Sequence, residues 1–220
     1  MRHDTVMLRE LVSRKRWDPR AHLRSTMRSM QSPSGSSVRV ISLARERREQ
    51  SRPPTDPAEQ FIYIGLENVE SGTGDLVGSA WRKGGDVLST SKHFRTGDVL
   101  LSRLRPNLNK VCCPPFSEGF CSGEFIVLAP NTERVSSRVL RELLASPDFV
   151  QRLTSLVAGA TLPRVAAADV LQQEVPAVDP AKLQALTASL QAEDKRRQQW
   201  KKELAEQPSH LIALVTKHCV

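Results

Sequence analysis

The chain has 220 residues, with 32 Lys or Arg against 24 Asp or Glu and a formal charge of +8. That length supports one or two modest cores, so the prior is one domain plus an appended element. It holds no apolar run long enough to cross a bilayer and no basic start leading into an apolar signal core, so the expectation is a cytoplasmic protein without membrane contact. The charge is unevenly placed: residues 1–52 hold 13 Lys or Arg against 5 Asp or Glu, and the remainder carries 19 of each. A concentrated basic face suits a polyanion, and a basic disordered arm has the same composition.

In chain order, Met7 to Val12 is a short apolar segment, followed by Arg14, Lys15, Arg16 and Trp17. Asp18 and Pro19 suit the cap and first turn of a helix. Leu23, Met27 and Met30 fall on one face of it, and Arg20, Arg24 and Arg28 on another. Both an ordinary amphipathic surface helix and a phosphate-facing one fit this pattern. Gln31 to Ser37 reads as a loop and Val38 to Leu43 as a strand. Arg45 to Pro57, charged and then proline-rich, reads as a surface loop that is either solvated or reaches along a nucleic-acid backbone.

Phe61 to Val69 is dense in β-forming residues and runs into the turn Ser71-Gly72-Thr73-Gly74. The two glycines make a poor phosphate loop, because no helix opening with Lys-Ser/Thr follows. Lys83 to Asp86 suggests a hairpin-like connection. Gly97-Asp98 begins the most informative stretch, GDVLLSRLRPNLNKV over residues 97–111. A short strand, Val99 to Leu101, gives way to Arg103, Arg105, Asn107, Asn109 and Lys110, stiffened by Pro106. Val111 then resumes a strand pattern, and a second strand follows at Glu124 to Leu128. Guanidinium and ammonium groups suit phosphate, while Arg and Asn can form paired hydrogen bonds to base edges. A solvated turn that protects a sheet edge has the same composition, so both readings stay open. Lys92 precedes the stretch closely enough to support its face.

After Pro130 the period changes. Ser136 to Ala145 and Pro147 to Val157 show helical spacing, with Ser146-Pro147-Asp148 as cap and restart. Gly159 to Val165 is a turn containing Pro163-Arg164, followed by a short helix near Asp169 to Leu171 and a strand near Val175. Arg164 either holds the closing helix or touches nucleic acid. Pro180 to Gln207 contains no Gly or Pro after its first residue and reads as one helix, roughly 40 Å long at 1.5 Å per residue. Leu183, Leu186, Leu190, Trp200 and Leu204 form an apolar seam, interrupted near Glu193 and Arg197, of the kind that seats a partner helix.

Several blocks together resemble one family: RWDP at 16–19, YIGLEN at 63–68, GDVLLSRLRPNLNKV at 97–111, SGEFIVLAP at 122–130 and the Pro-Arg turn at 159–165. In that order they are similar to the target recognition domains of specificity (S) subunits of type I restriction-modification systems. The resemblance implies an α+β fold: a β-rich target recognition domain with packed helices at 1–178, then a long C-terminal coiled-coil spacer helix or dimerisation arm at 179–220. It implies a DNA-sequence-reading subunit of a type I-like restriction-modification or phage-defence complex, with a single recognition domain that binds one half-site of double-stranded DNA. Methyltransferase (M) subunits, and in some assemblies a restriction (R) subunit, would be its partners, and the C-terminal helix would pair two copies. Arg103, Arg105, Asn107, Asn109, Lys110 and Lys92 would form the DNA face, with Arg14, Lys15 and Arg16 on phosphates.

Motifs for catalysis are missing. There is no Gly-x4-Gly-Lys-Ser/Thr loop, and Cys113-Pro114-Pro115-Phe116 lacks the Asn or Asp that an adenine methyltransferase needs at its first position. Cys112, Cys113, Cys121 and Cys219 lack zinc-site spacing and read as buried thiols in a reducing compartment. The expectation is a non-catalytic chain with no metal and no cofactor. The rival readings are a structural adaptor that no longer reads sequence and a stand-alone DNA-modifying enzyme.

Overall fold

A computed structural model describes residues 36–157 and 162–218, with 204–218 as helical backbone. Three layers stack: a five-stranded sheet, a four-stranded sheet and a set of helices. The middle sheet runs in the order β2 (Ala44–Arg47), β10 (Phe125–Pro130), β7 (Val99–Ser102), β8 (Val111–Cys112), all antiparallel. The outer sheet runs β3 (Gln50–Ser51), β6 (Ser91–Arg95), β9 (Glu118–Cys121), β4 (Gln60–Ile64), β5 (Trp81–Lys83), and its β4–β9 pair is parallel. A two-stranded ribbon of β1 (Ser37–Arg39) and β11 (Glu174–Pro176) ties the two ends of the domain together.

Strand alternation explains the layering. Side chains of a strand point to opposite faces in turn. On β10, Ile126 and Leu128 belong to the core against the helices, while Phe125 and Val127 belong to the core between the sheets. β7 divides likewise, with Val99 and Leu101 on one side and Leu100 on the other. A sheet covered on both faces needs apolar residues at every position, hence the uninterrupted VLL and FIVL runs.

Helices α1 (Ser137–Leu144) and α2 (Pro147–Ser155) start where expected, because Ser136 and Ser146 each accept a hydrogen bond from a backbone N–H in the first turn. A short α3 (Ala167–Gln172) leads into β11. The closing segment is stapled to the middle sheet: Val165 N–H donates to Arg103 O at 3.0 Å, and Leu104 bridges Arg164. Arg164 also grips the Glu124 carboxylate through Nε and a terminal nitrogen, at 3.0 and 2.7 Å.

Several expectations are corrected. The expected loop at Arg45 to Pro57 contributes β2 and β3, because Arg47 forms a forked pair with buried Asp98 (2.8 and 3.2 Å) that anchors β2 to the turn before β7. Of the expected 38–43 strand only Val38 and Arg39 are extended, as part of β1; Val40–Ser42 forms a 3-10 turn. Lys83 to Asp86 is a tight turn, but β5 and β6 on either side of it are not neighbours, so it closes no hairpin.

The long helix α4 (Leu183–His218) does not leave the domain bare. Leu186 and Leu190 are fully buried in the helical core, and Leu183 packs against it. The seam expected to seat a partner helix is therefore used, in its first half, by the domain itself. An apolar stripe at helical spacing cannot distinguish these two destinations. Trp200 is half-buried, and the Leu204 side chain lies outside the described residues.

Two outcomes follow from this packing. Leu190→Ala is expected to cost about 2–5 kcal/mol in a urea titration, as for other buried leucines, whereas exposed Gln191→Ala should stay within about 0.5 kcal/mol. Equal small effects would mean that the arm is not packed. The hydrogen bonds from Arg164 hold the Glu124 carboxyl below its ordinary range. Its contribution to stability is thus complete above the unfolded value, about pH 4.3, and is lost as pH falls through the lowered folded value. Glu124→Gln should be less stable than wild type at neutral pH, with a gap that closes on acidification; a gap constant down to pH about 3 would exclude this pair as its source.

Candidate nucleic-acid interface

The corner between β7 and β8 is built from its backbone outward. Ser102 N–H donates to Lys110 O at 3.0 Å, closing the loop at its base, and Arg103 N–H donates to Glu124 O at 2.9 Å. At the far side Arg105 N–H donates to Pro163 O at 3.0 Å. Between them Pro106–Leu108 forms a 3-10 turn, with Leu108 N–H bonded to Arg105 O and Asn109 N–H to Pro106 O. Pro106 is buried against this scaffold and the turn packs on α2.

The turn is entered and left through left-handed backbone, at Arg105 (φ 47°) and Asn109 (φ 50°). Asn tolerates that region; for Arg it carries a steric cost of order 1 kcal/mol, sustained by the hydrogen bonds on either side. The consequence is geometric. Arg105 and Asn107 stand exposed at the tip beside partly exposed Leu108, and Leu162 is exposed one residue before the carbonyl that holds Arg105.

The residues singled out from sequence thus separate into two groups. Arg105 and Asn107 face solvent. Arg103 is half-buried, with its Nε shielded and without a hydrogen-bond partner, and its charge adds to that of Arg164 in lowering the Glu124 carboxyl. The other three point into the structure. Asn109 donates its amide to Ala145 O at 2.9 Å, and Lys110 Nζ donates to Leu66 O at 2.7 Å. Lys92 is buried, with Nζ bonded to Phe125 O at 2.8 Å and 3.7 Å from Glu46. An ammonium buried this way is held by partners inside the protein and is not on the surface with the corner. Its place on β6, alternating with His93, could have shown that Lys92 faces inward. Arg14, Lys15 and Arg16 lie outside the described residues.

Arg164, left open between a structural and a DNA role, is engaged with Glu124, the carboxylate beneath the corner. Leu162 and Glu124 were not marked as part of the site; their relation to it is long-range, carried by the bridge between 104 and 164, and no local pattern reports it.

Chemistry elsewhere is limited. Cys112, Cys113 and Cys121 are free thiols, and burial pushes Cys113 up to about 11 and Cys121 up to about 12, with Cys112 raised further. Such thiols are poor nucleophiles at neutral pH. Cys219 lies outside the described residues. Among the described residues no cluster of His, Cys, Asp and Glu is arranged to hold a metal, and no helix is long and apolar enough to cross a membrane.

No protein-family profile matches the chain, and no curated protein matches it. Solved structures do. A chain from a study of complex assembly and conformational transition of the type I R-M system superposes with a TM-score of 0.65 at 23% identity, over 86% of this chain and 50% of that one. The HsdS subunit from Thermoanaerobacter tengcongensis gives 0.60 at 24% identity, over 83% of this chain and 48% of its own. The chain therefore spans about half the length of these neighbours. With its stacked sheets, closing ribbon and C-terminal helix, this chain has the mixed α+β fold of the specificity (HsdS) subunits of type I restriction-modification systems.

Proposed function

We propose that this chain is a DNA-sequence-recognition element of a type I-like restriction-modification or phage-defence complex. In this reading it binds one half-site of a duplex and brings adenine methyltransferase subunits, and in some assemblies a restriction subunit, to that site. The observation that carries the reading is the corner: Arg105 and Asn107 are exposed on a turn whose backbone is fixed by hydrogen bonds. Arg pairs with guanine O6 and N7, and Asn with adenine N6 and N7, and both pairings demand orientation. The fold shared with HsdS supports the same assignment. Bond-making and bond-breaking belong, in this proposal, to the partner chains.

The arm extends the proposal. At 36 residues α4 is about 54 Å long, and its first half is docked on the domain. Two domains joined through paired arms would read two inverted half-sites, at a separation set by the arms. With Leu186 and Leu190 already buried, pairing has to use the rest of the helix. Light scattering at micromolar concentration, alone and with methyltransferase subunits, should return a species with two such arms; a single arm under both conditions would rule the pairing out.

A second reading, an adaptor that keeps the fold without reading sequence, draws on the inward direction of Lys92, Asn109 and Lys110. Selection from a randomised duplex library separates the two, because an enriched motif is expected only of a reader. On that motif Arg105→Ala and Asn107→Ala should each cost about 1–3 kcal/mol and blur the preference at one position. Lys92→Met should lower stability and leave the preference of the folded fraction intact. Equal losses on selected and random DNA for both corner variants would defeat the readout claim.

A further inference from the structure

Beyond Leu190, no described arm residue belongs to either apolar core. Ion pairs hold the arm against the domain there. Asp75 lies in the loop after β4 and bridges two arm cations one turn apart, with Oδ1 2.6 Å from Arg197 and Oδ2 2.7 Å from Lys201. Lys201 also reaches Glu70, at 2.7 Å. From Arg197 the alternation of sign continues inward: Arg197 to Asp194 at 3.0 Å, Asp194 to Arg138 at 2.7 Å, and Arg138 to Glu142 at 2.8 Å. Asp75 comes from the loop, Asp194, Arg197 and Lys201 from the arm, and Arg138 and Glu142 from α1, so the ladder joins the three elements.

The loop that carries Asp75 is itself fixed to the base of the recognition corner. Gly72 N–H donates to Asn109 O at 3.0 Å, and the Arg141 guanidinium bonds both Thr73 O and Val111 O. Gly74 lies so close to Val111 O that a Cβ would sit 1.9 Å from it, at φ +69°. Glu70 and Asp75 are tied together across the turn, Glu70 N–H donating to Asp75 O at 2.9 Å. The carboxylate that meets the arm is thus placed by the same backbone that ends the corner.

We infer that Asp75 is the positioning residue of an electrostatic latch that fixes the direction in which the C-terminal arm leaves the domain, referenced to the corner that carries Arg105. The first turns of the arm are seated by leucines, and the next turns are aimed by Asp75. Only the significance of that aim for half-site spacing rests on the DNA reading above; the latch stands without it. Removing the Asp75 charge leaves Arg197 facing an uncharged loop atom and Lys201 held by Glu70 alone, so the loop no longer bridges the two arm cations.

Pulsed electron paramagnetic resonance tests this on the full chain. Spin labels are placed at two exposed positions, Glu133→Cys on the domain and Lys202→Cys on the arm, in a Cys113→Ser, Cys219→Ser background that leaves the buried thiols Cys112 and Cys121. In low salt the unaltered latch should give one narrow distance distribution. Asp75→Asn should shift and broaden it, and so should raising NaCl to about 1 M with Asp75 present, where the screening length falls to about 3 Å. Should Asp75→Asn fail to fold by circular dichroism, the salt titration and Lys201→Met decide in its place. A distribution unmoved by salt and by whichever variants fold overturns the latch. A distribution that moves while Arg105→Ala leaves DNA preference untouched upholds the latch and removes the DNA reading.

Discussion

The structure depends on β10. Both its edges are paired, to β2 and to β7, and both its faces are covered, one by helices and the other by the outer sheet. Phe125, Ile126, Val127 and Leu128 are all essentially inaccessible, each serving the core on its own side. Burial of a large apolar side chain is worth about 1.5–3 kcal/mol, so four consecutive ones make this strand the place where the two cores are coupled. The residues on either side of it inherit that rigidity. Phe125 O receives the buried Lys92 ammonium, and Glu124, one residue before, holds Arg103 by its carbonyl and Arg164 by its carboxylate.

That rigidity extends to the backbone of the corner. Its base is tied to β10 through Arg103, its side to the closing segment through Arg105 and Pro163, and its far end to α1 and α2 through Asn109 and Ala145. Left-handed backbone at Arg105 persists only because these attachments over-determine it. A backbone held in this way needs no ordering when the corner is contacted, although the exposed Arg105 and Asn107 side chains still do.

The arm is attached by two kinds of force in succession. Leu186 and Leu190 are seated by desolvation, which is indifferent to salt and direction. The ladder from Arg138 to Lys201 is directional and open to screening at its outer end, where Lys201 is about half exposed. The helix is thus seated by apolar contacts at its root and held by ion pairs in the turns that follow.

The local pattern of the chain was enough to determine β7, β10, α1, α2 and the existence of the long helix, because apolar periods and caps are properties of consecutive residues; it ended that helix at Gln207, whereas the helical backbone continues through Pro208 to His218. It also determined that the 97–111 stretch holds the cationic and amide-rich corner. It missed β9, whose four residues include Gly119; a Cβ there would lie 2.7 Å from the Phe94 ring, so the position is set by a neighbouring strand and not by strand propensity. It left β2 and β3 as loop, because the pairing of Arg47 with Asp98 spans 51 residues. Only the tertiary structure decided which corner residues face out, since Asn107 and Asn109 are equivalent in a sequence and opposite in a turn entered and left through positive φ. Tertiary packing alone also sent the leucine seam inward, because an apolar stripe specifies that something must cover it and contains no information about what does.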